Sequence, residues 1–151
     1  MKYVHTNIVA DDWKRLAQFY QDVLGCVPVP PERDLKGEWV DKLTGLTGAH
    51  ITGIHLRLPG WGDDGPTLEI FQYDNSNERL PIATNNPGFG HIAFQVDDVE
   101  EAVAAFLANG GSPVGELLVH QYPDGRYLTV RYVADPEGNV VELQSWSEKQ
   151  G

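Results

Sequence analysis

Cysteine is almost missing from this chain. Cys26 is the only one among 151 residues, so no disulfide can form within it, and its stability must come from a packed core. A reducing compartment fits that usage. Long apolar runs are missing as well, and none approaches the roughly 20 residues of a membrane-spanning helix. The opening MKYVHTNIVADD has no apolar run behind a basic head, so no signal peptide is read and a cytoplasmic location is expected. Positive charge is scarce: 11 Lys and Arg stand against 22 Asp and Glu, for a net charge of −11. No basic cluster is available to displace counterions, which excludes a nucleic-acid or anionic-membrane partner. The acidity itself reads as a solubility feature. What is present is a 41 % hydrophobic complement, enough to build the core of one ordinary domain.

The chain contains itself twice. HTNIVADDWKRLAQFYQDVLG begins at His5, and HIAFQVDDVEEAVAAFLANGG begins 86 residues later at His91. At that offset Asp11 and Asp12 fall on Asp97 and Asp98, Tyr20 on Phe106, and Gly25 on Gly111. Each copy opens with alternating polar and apolar residues, the period of a strand. A helical pattern follows: Trp13, Leu16, Ala17, Tyr20 and Leu24 in one, Val99, Val103, Phe106 and Leu107 in the other. Asp98 with Glu101 reads as a capping box, and Gly25 and Gly110–Gly111 as helix stops. Further strands are expected over 51–58, 117–122 and 127–134, and DPEG at 135–138 reads as a turn. Glu69 and Glu142 each lie in a late apolar strand, 73 residues apart, so the first half carries about 13 extra residues. The stretch from Pro30 to His50 is expected to be that insertion, rich in loop. The expectation is therefore an α+β fold of two tandem β-α-β-β-β modules whose mixed sheets form a metal-binding cleft. Module one spans about 1–75, a linker about 76–88 and module two about 89–147, all within a single domain of 1–151.

Strand alternation places His5 on the face of Tyr3, Asn7 and Val9, and His91 on that of Ala93 and Gln95. Glu69 shares a face with Thr67 and Phe71, and Glu142 with Val140 and Gln144. In all four strands the special residue points away from the helix-packed side. Any one of them alone reads as an ordinary polar residue on a half-buried strand. As a set related by the duplication, two imidazoles and two carboxylates are costly unless something pairs them, and a divalent metal does so. His50, His55 and His120 are expected at the surface or in structural roles. Trp39, Trp61 and Tyr122 are candidates for a substrate wall, against the alternative of simple packing. Cys26 is expected to be inert.

The stretches HTNIVADD…FYQDVLG, LEIFQ, GFGHIAFQVDDVEEA and DPEGNVVELQ together resemble the vicinal oxygen chelate superfamily, over nearly the whole chain. That superfamily includes glyoxalase I, methylmalonyl-CoA epimerase, extradiol dioxygenases and fosfomycin-resistance proteins. The resemblance implies paired β-α-β-β-β modules, a homodimer, and one divalent metal (Zn, Ni, Co, Mn or Fe) held by His5, Glu69, His91 and Glu142. It implies a small-molecule substrate that chelates the metal through neighbouring oxygens. The reaction it implies is that of a glyoxalase-like isomerase, epimerase or lyase, which removes a proton next to a carbonyl with Glu142 or Glu69 as the base. An extradiol-type iron dioxygenase, using the equivalents of His5, His91 and Glu142, is the alternative enzyme. A drug-binding protein without catalysis is the alternative outside enzymes. Val9 and Tyr73 stand where glyoxalase I typically carries an Arg and an Asn for glutathione, so a glutathione substrate is not implied.

Overall fold

The computed structural model describes residues 1–148, so the last three residues of the expected domain, 149–151, lie outside the described residues. Two compact units divide the chain, Met1–Arg79 and the part from Leu80 onward. Among the described residues no helix is long and apolar enough to cross a membrane.

The first unit runs β1 (His5–Val9), α1 (Trp13–Leu24), β2 (Val27–Lys36), α2 (Glu38–Thr44), β3 (His50–Arg57) and β4 (Thr67–Tyr73). Its sheet has the order β1-β4-β3-β2, with β1 parallel to β4 and the other pairs antiparallel. Helix α1 starts where the Asp12 carboxylate accepts from the Arg15 N–H at 3.1 Å, satisfying one of the free donors of a first turn. It stops at Gly25, whose φ of 66° is left-handed and costs glycine little. Its buried stripe of Leu16, Ala17 and Tyr20 packs on β3 and β4, where Leu56, Leu68 and Ile70 are sealed from solvent.

The stretch expected as a loop-rich insertion is more ordered than that. It holds most of β2 and all of α2. Strand β2 bends where Pro30 and Pro31 cannot donate to the ladder, and its register with β3 shifts between Val29 and Arg33. Helix α2 is short, and only Val40 of it is buried, against Ala49, Ile51 and Phe71. The Asp41 carboxylate ties its far end down by accepting from the N–H groups of Gly48 and Ala49 at 2.9 and 2.8 Å.

His50 opens β3 between two carboxylates, with Nδ1 2.8 Å from Asp74 and Nε2 2.8 Å from Asp34. These hydrogen bonds, the one to Asp74 foremost, raise its pKa above the ordinary histidine value, and the bond from His50 holds Asp34 below the usual carboxylate range. A raised folded-state pKa means that the charged clamp contributes fully below the unfolded value and fades as pH rises through the folded one. The His50 ring should therefore titrate by NMR above the ordinary value of about 6.5, and Asp74→Asn should bring that midpoint down. An unchanged midpoint in the variant would show that Asp74 does not hold the proton.

The second unit runs β5 (Ile92–Gln95), α3 (Val99–Ala108), β6 (Ser112–Pro113), β7 (Leu118–Gln121), β8 (Tyr127–Ala134) and β9 (Val140–Ser147). The sheet order is β5-β9-β8-β6, and β7 also pairs with β8. Strands β6 and β7 meet opposite ends of the same edge of β8, so together they take the place that β2 takes in the first unit. The β-α-β-β-β plan thus appears twice, with its second strand broken here around Gly115, whose carbonyl accepts from Arg131 Nε at 3.0 Å. Asp98 caps α3 by accepting from the Glu101 N–H at 2.9 Å. Val99, Val103 and Phe106 seal the helix against β8 and β9.

Candidate metal centre

Strand register decides which side chains share the face of the first sheet that α1 leaves open. Asn7 and His55 both stand opposite Glu69 on its two neighbouring strands. Paired positions point the same way, so Asn7, Glu69 and His55 form one row across the sheet. His5, Thr67 and Arg57 form the row on one side of it, and Val9, Phe71, Gly53 and Arg33 the row on the other.

The rows bring three candidate ligands together. Glu69 Oε1 lies 2.9 Å from His55 Nε2, and Oε2 lies 3.7 Å from His5 Nε2. Asn7 Nδ2 donates to the same Oε2 at 2.9 Å, which orients the carboxylate. On the far side of its ring, His55 Nδ1 is 2.9 Å from Thr67 Oγ1. Burial pushes the His55 imidazole below its ordinary pKa. Glu69 pulls it up, and Arg33 and His5 push it further down. A neutral imidazole with one nitrogen bonded to a hydroxyl is the form that gives a lone pair to a metal.

These donors fit a divalent ion. The ligand atoms of His5, His55 and Glu69 all lie within 4.8 Å of one another. Two ligands on one ion at about 2.0–2.2 Å are at most about 4.4 Å apart, so shifts of a few tenths of an ångström suffice. Imidazole and carboxylate together suit zinc, iron, nickel, cobalt and manganese alike.

The second unit repeats the pairing. His91 stands one residue before β5, and its Nε2 is 3.2 Å from Glu142 Oε2 on β9. Tyr132 on β8 faces Glu142 in register. Its ring is 4.9 Å from that of His91. Burial pushes its phenol pKa up, and the Glu142 charge and a hydrogen bond to Glu142 add to this. His55 and Tyr132 therefore hold equivalent places, each across a strand pair from its unit's glutamate. The expected residues thus fall into two pairs, His5 with Glu69 and His91 with Glu142, one in each unit.

His55, expected at the surface or in a structural role, stands beside Glu69 and lines the same cavity as His5. In ITGIHLRL it reads as one polar residue in a core strand; the signal that singles it out is its register opposite Glu69, which periodicity alone does not carry. Trp39 lines a cavity of about 610 Å3 together with His5, Glu69, His55 and Arg33, whereas Trp61 and Tyr122 do not. Tyr122 packs instead on Trp146 and His120, at ring distances of 5.1 and 5.0 Å. Cys26 is buried and its thiol is pushed up to about 12 by desolvation, which leaves it protonated and unreactive.

The family model of the Glyoxalase/Bleomycin resistance protein/Dioxygenase superfamily matches residues 2–143. A probable lactoylglutathione lyase from Synechocystis is 27 % identical over 150 residues, covering 99 % of both chains. The lactoylglutathione lyase of Haemophilus influenzae is 27 % identical over 153 residues, covering 100 % of this chain and 98 % of its own. Among solved structures, a glyoxalase family protein from Bacillus cereus shares the fold with a TM-score of 0.72 at 21 % identity, over 97 % of this chain and 93 % of that one. With its duplicated β-α-β-β-β units and a family match across nearly its whole length, this chain belongs to the glyoxalase/bleomycin resistance/dioxygenase superfamily, the vicinal oxygen chelate superfamily expected from its sequence.

Proposed function

We propose that the protein is a metal-dependent enzyme of the glyoxalase type, in which His5, Glu69, His91 and Glu142 hold one divalent ion. The two units would then act as a single domain. The observation that carries the reading is the repetition of one imidazole–carboxylate pair at equivalent places in both units, at 3.7 and 3.2 Å. Relatives named lactoylglutathione lyase, at about 27 % identity, support the reaction class. A homodimer in the cytoplasm is part of the same proposal.

When bound, the metal supplies Lewis-acid polarisation of a carbonyl oxygen. The protein's own residues would do the rest. Glu142 takes the proton from the carbon next to that carbonyl, the C–H electron pair moves toward the oxygen, and the proton is returned to the same or the neighbouring carbon. Glu142 is assigned this role because it has fewer partners, His91 and Tyr132, whereas Glu69 has His55 on one oxygen and both Asn7 and His5 on the other. Asn7 and Tyr132 orient the two carboxylates.

A second reading has its own observation. His5, His55 and Glu69 form a two-histidine, one-carboxylate set within one unit, a set that also suits ferrous iron in oxygenases. Elemental analysis separates the two. The wild type should carry about one metal per chain, and a His5→Ala/Glu142→Ala double variant should carry none. Retention of the metal in Glu142→Ala, with loss in His55→Ala, would move the centre to the set on the first unit. No metal in the wild type after exposure to zinc, nickel, manganese or ferrous iron would sink both readings.

A further inference from the structure

We propose that the substrate is a small monoanion carrying an apolar group, with Arg33 as its anion anchor and the α2 segment as its apolar wall. This rests on the metal-dependent reading above and adds to it the class of molecule the cavity takes.

Arg33 carries the first half of the argument. It sits half-buried on β2, in the row next to His55 and Glu69, and it lines the same cavity as they do. Its neighbour in that row is Gly53. An added Cβ at Gly53 would meet the Ile70 carbonyl oxygen at 2.1 Å and the Phe71 ring at 2.6 Å. The strand lies too close to its neighbour there to carry any side chain, and no side chain stands between Arg33 and Phe71 along the row. Arg57, Arg79 and Arg126 each have an aspartate within 4 Å. Arg33 bonds only the Pro31 carbonyl oxygen of its own strand, and among the described residues no carboxylate reaches it. In a chain of net charge −11, a half-buried guanidinium without an acidic partner marks a place for an anionic ligand group.

Helix α2 and the turn after it carry the second half. Trp39, Leu43 and Leu46 are 56, 74 and 50 % exposed, and all three line this cavity together with Leu35 and Phe71. Large apolar side chains grouped on one wall of a cavity favour an apolar ligand group that removes them from water. Arg33 is the only lysine or arginine among the lining residues, so away from the metal ligands one guanidinium is there to pair with a ligand carboxylate. Glutathione has two carboxylates, of which the single lining guanidinium can meet only one.

The test uses three matched probes and isothermal titration. Benzylpyruvate has both the carboxylate and the ring, benzylacetone replaces the carboxylate with a methyl group, and pyruvate lacks the ring. On metal-loaded protein, benzylpyruvate should bind at least about tenfold more tightly than either of the others. Arg33→Met should weaken benzylpyruvate about tenfold and leave benzylacetone unchanged, with Arg33→Lys recovering part of the loss. Trp39→Ala should weaken both ring-bearing probes and leave pyruvate unchanged. Equal effects on the charged and neutral probes, or no binding of benzylpyruvate to a wild type of normal melting temperature, would overturn the assignment. Repeating the titration on chelator-stripped protein separates the two proposals. Discrimination by Arg33 that persists in a protein taking up no metal supports the anchor while the metal reading fails. Metal uptake without that discrimination removes the anchor alone.

Discussion

Glu142→Gln should lower deuterium uptake into a small 2-hydroxyketone by about 10²–10⁴-fold, the range that a positioned general base supplies. The amide keeps the size and can still accept a hydrogen bond from Tyr132, so the β8–β9 pairing around it (Tyr132 opposite Glu142) should survive. What is lost is the ability to take up a proton. Metal content should fall but stay measurable, because His5, Glu69 and His91 keep their donor atoms. Glu69→Gln should behave differently. Its carboxylate has His55 at 2.9 Å on one oxygen and Asn7 at 2.9 Å on the other, so the change should weaken the metal more than it slows exchange at saturating metal. NMR of the substrate in D2O reads the exchange, and elemental analysis reads the metal. Full exchange in Glu142→Gln together with none in Glu69→Gln would reverse the two roles.

The parts of this molecule that are legible in the sequence are those written in local period. Alternation around His5, Glu69 and Glu142 is enough to turn each away from its helix, and Leu68, Ile70, Val141 and Leu143, on the opposite faces, are indeed sealed. The amphipathic stripes of α1 and α3 and their aspartate caps are local signals too. What escapes is written in pairing. His55 matters because an antiparallel β3 sets it opposite Glu69, and Tyr132 because β8 does the same for Glu142. Each partner is close in sequence, 14 and 10 residues along, but the strand period does not say which positions of two strands meet. Helix α2 escapes for another reason. It has seven residues between Gly37 and Gly45 and buries only Val40, so it carries no stripe to read. Its exposed apolar residues resemble a loop until the cavity beside them is seen. Strand β6, two residues long, is below the length at which alternation means anything.

The turn between β8 and β9 should show the largest loss of stability. Asp135 is a charged residue only 2 % exposed, a place where a carboxylate is tolerated only if its acceptor sites are filled. They are filled by the turn itself: Oδ1 accepts from the N–H groups of Glu137 and Asn139 at 2.9 Å, and Oδ2 from Asn139 Nδ2 at 2.8 Å. The backbone closes around them, with Gly138 N–H on the Asp135 carbonyl and Asp135 N–H on that of Asn139, both at 3.0 Å. Gly138, at φ 88°, makes the reversal without strain. Asp135→Ala removes the acceptor and leaves the donors. Charge-assisted bonds of this kind are worth about 1.5–3 kcal/mol each, and a stranded buried N–H costs about 1–3 kcal/mol. Water will reach some of these donors, so a net loss of about 3 kcal/mol is expected, a fall in melting temperature on the order of 6–12 °C for a chain of this size. Asp135→Asn should recover a large part of the loss, since its Oδ1 can accept from the Glu137 and Asn139 N–H groups and the Asn139 amide can turn to accept from its Nδ2. The turn also sets the register that places Tyr132 opposite Glu142, so the Tyr132 ring signals in the NMR spectrum should shift in Asp135→Ala well below its melting point. A loss under about 1 kcal/mol with unmoved Tyr132 signals would mean that the hairpin holds its register through the strand ladder alone, and that the buried carboxylate is not what aligns Tyr132 with Glu142.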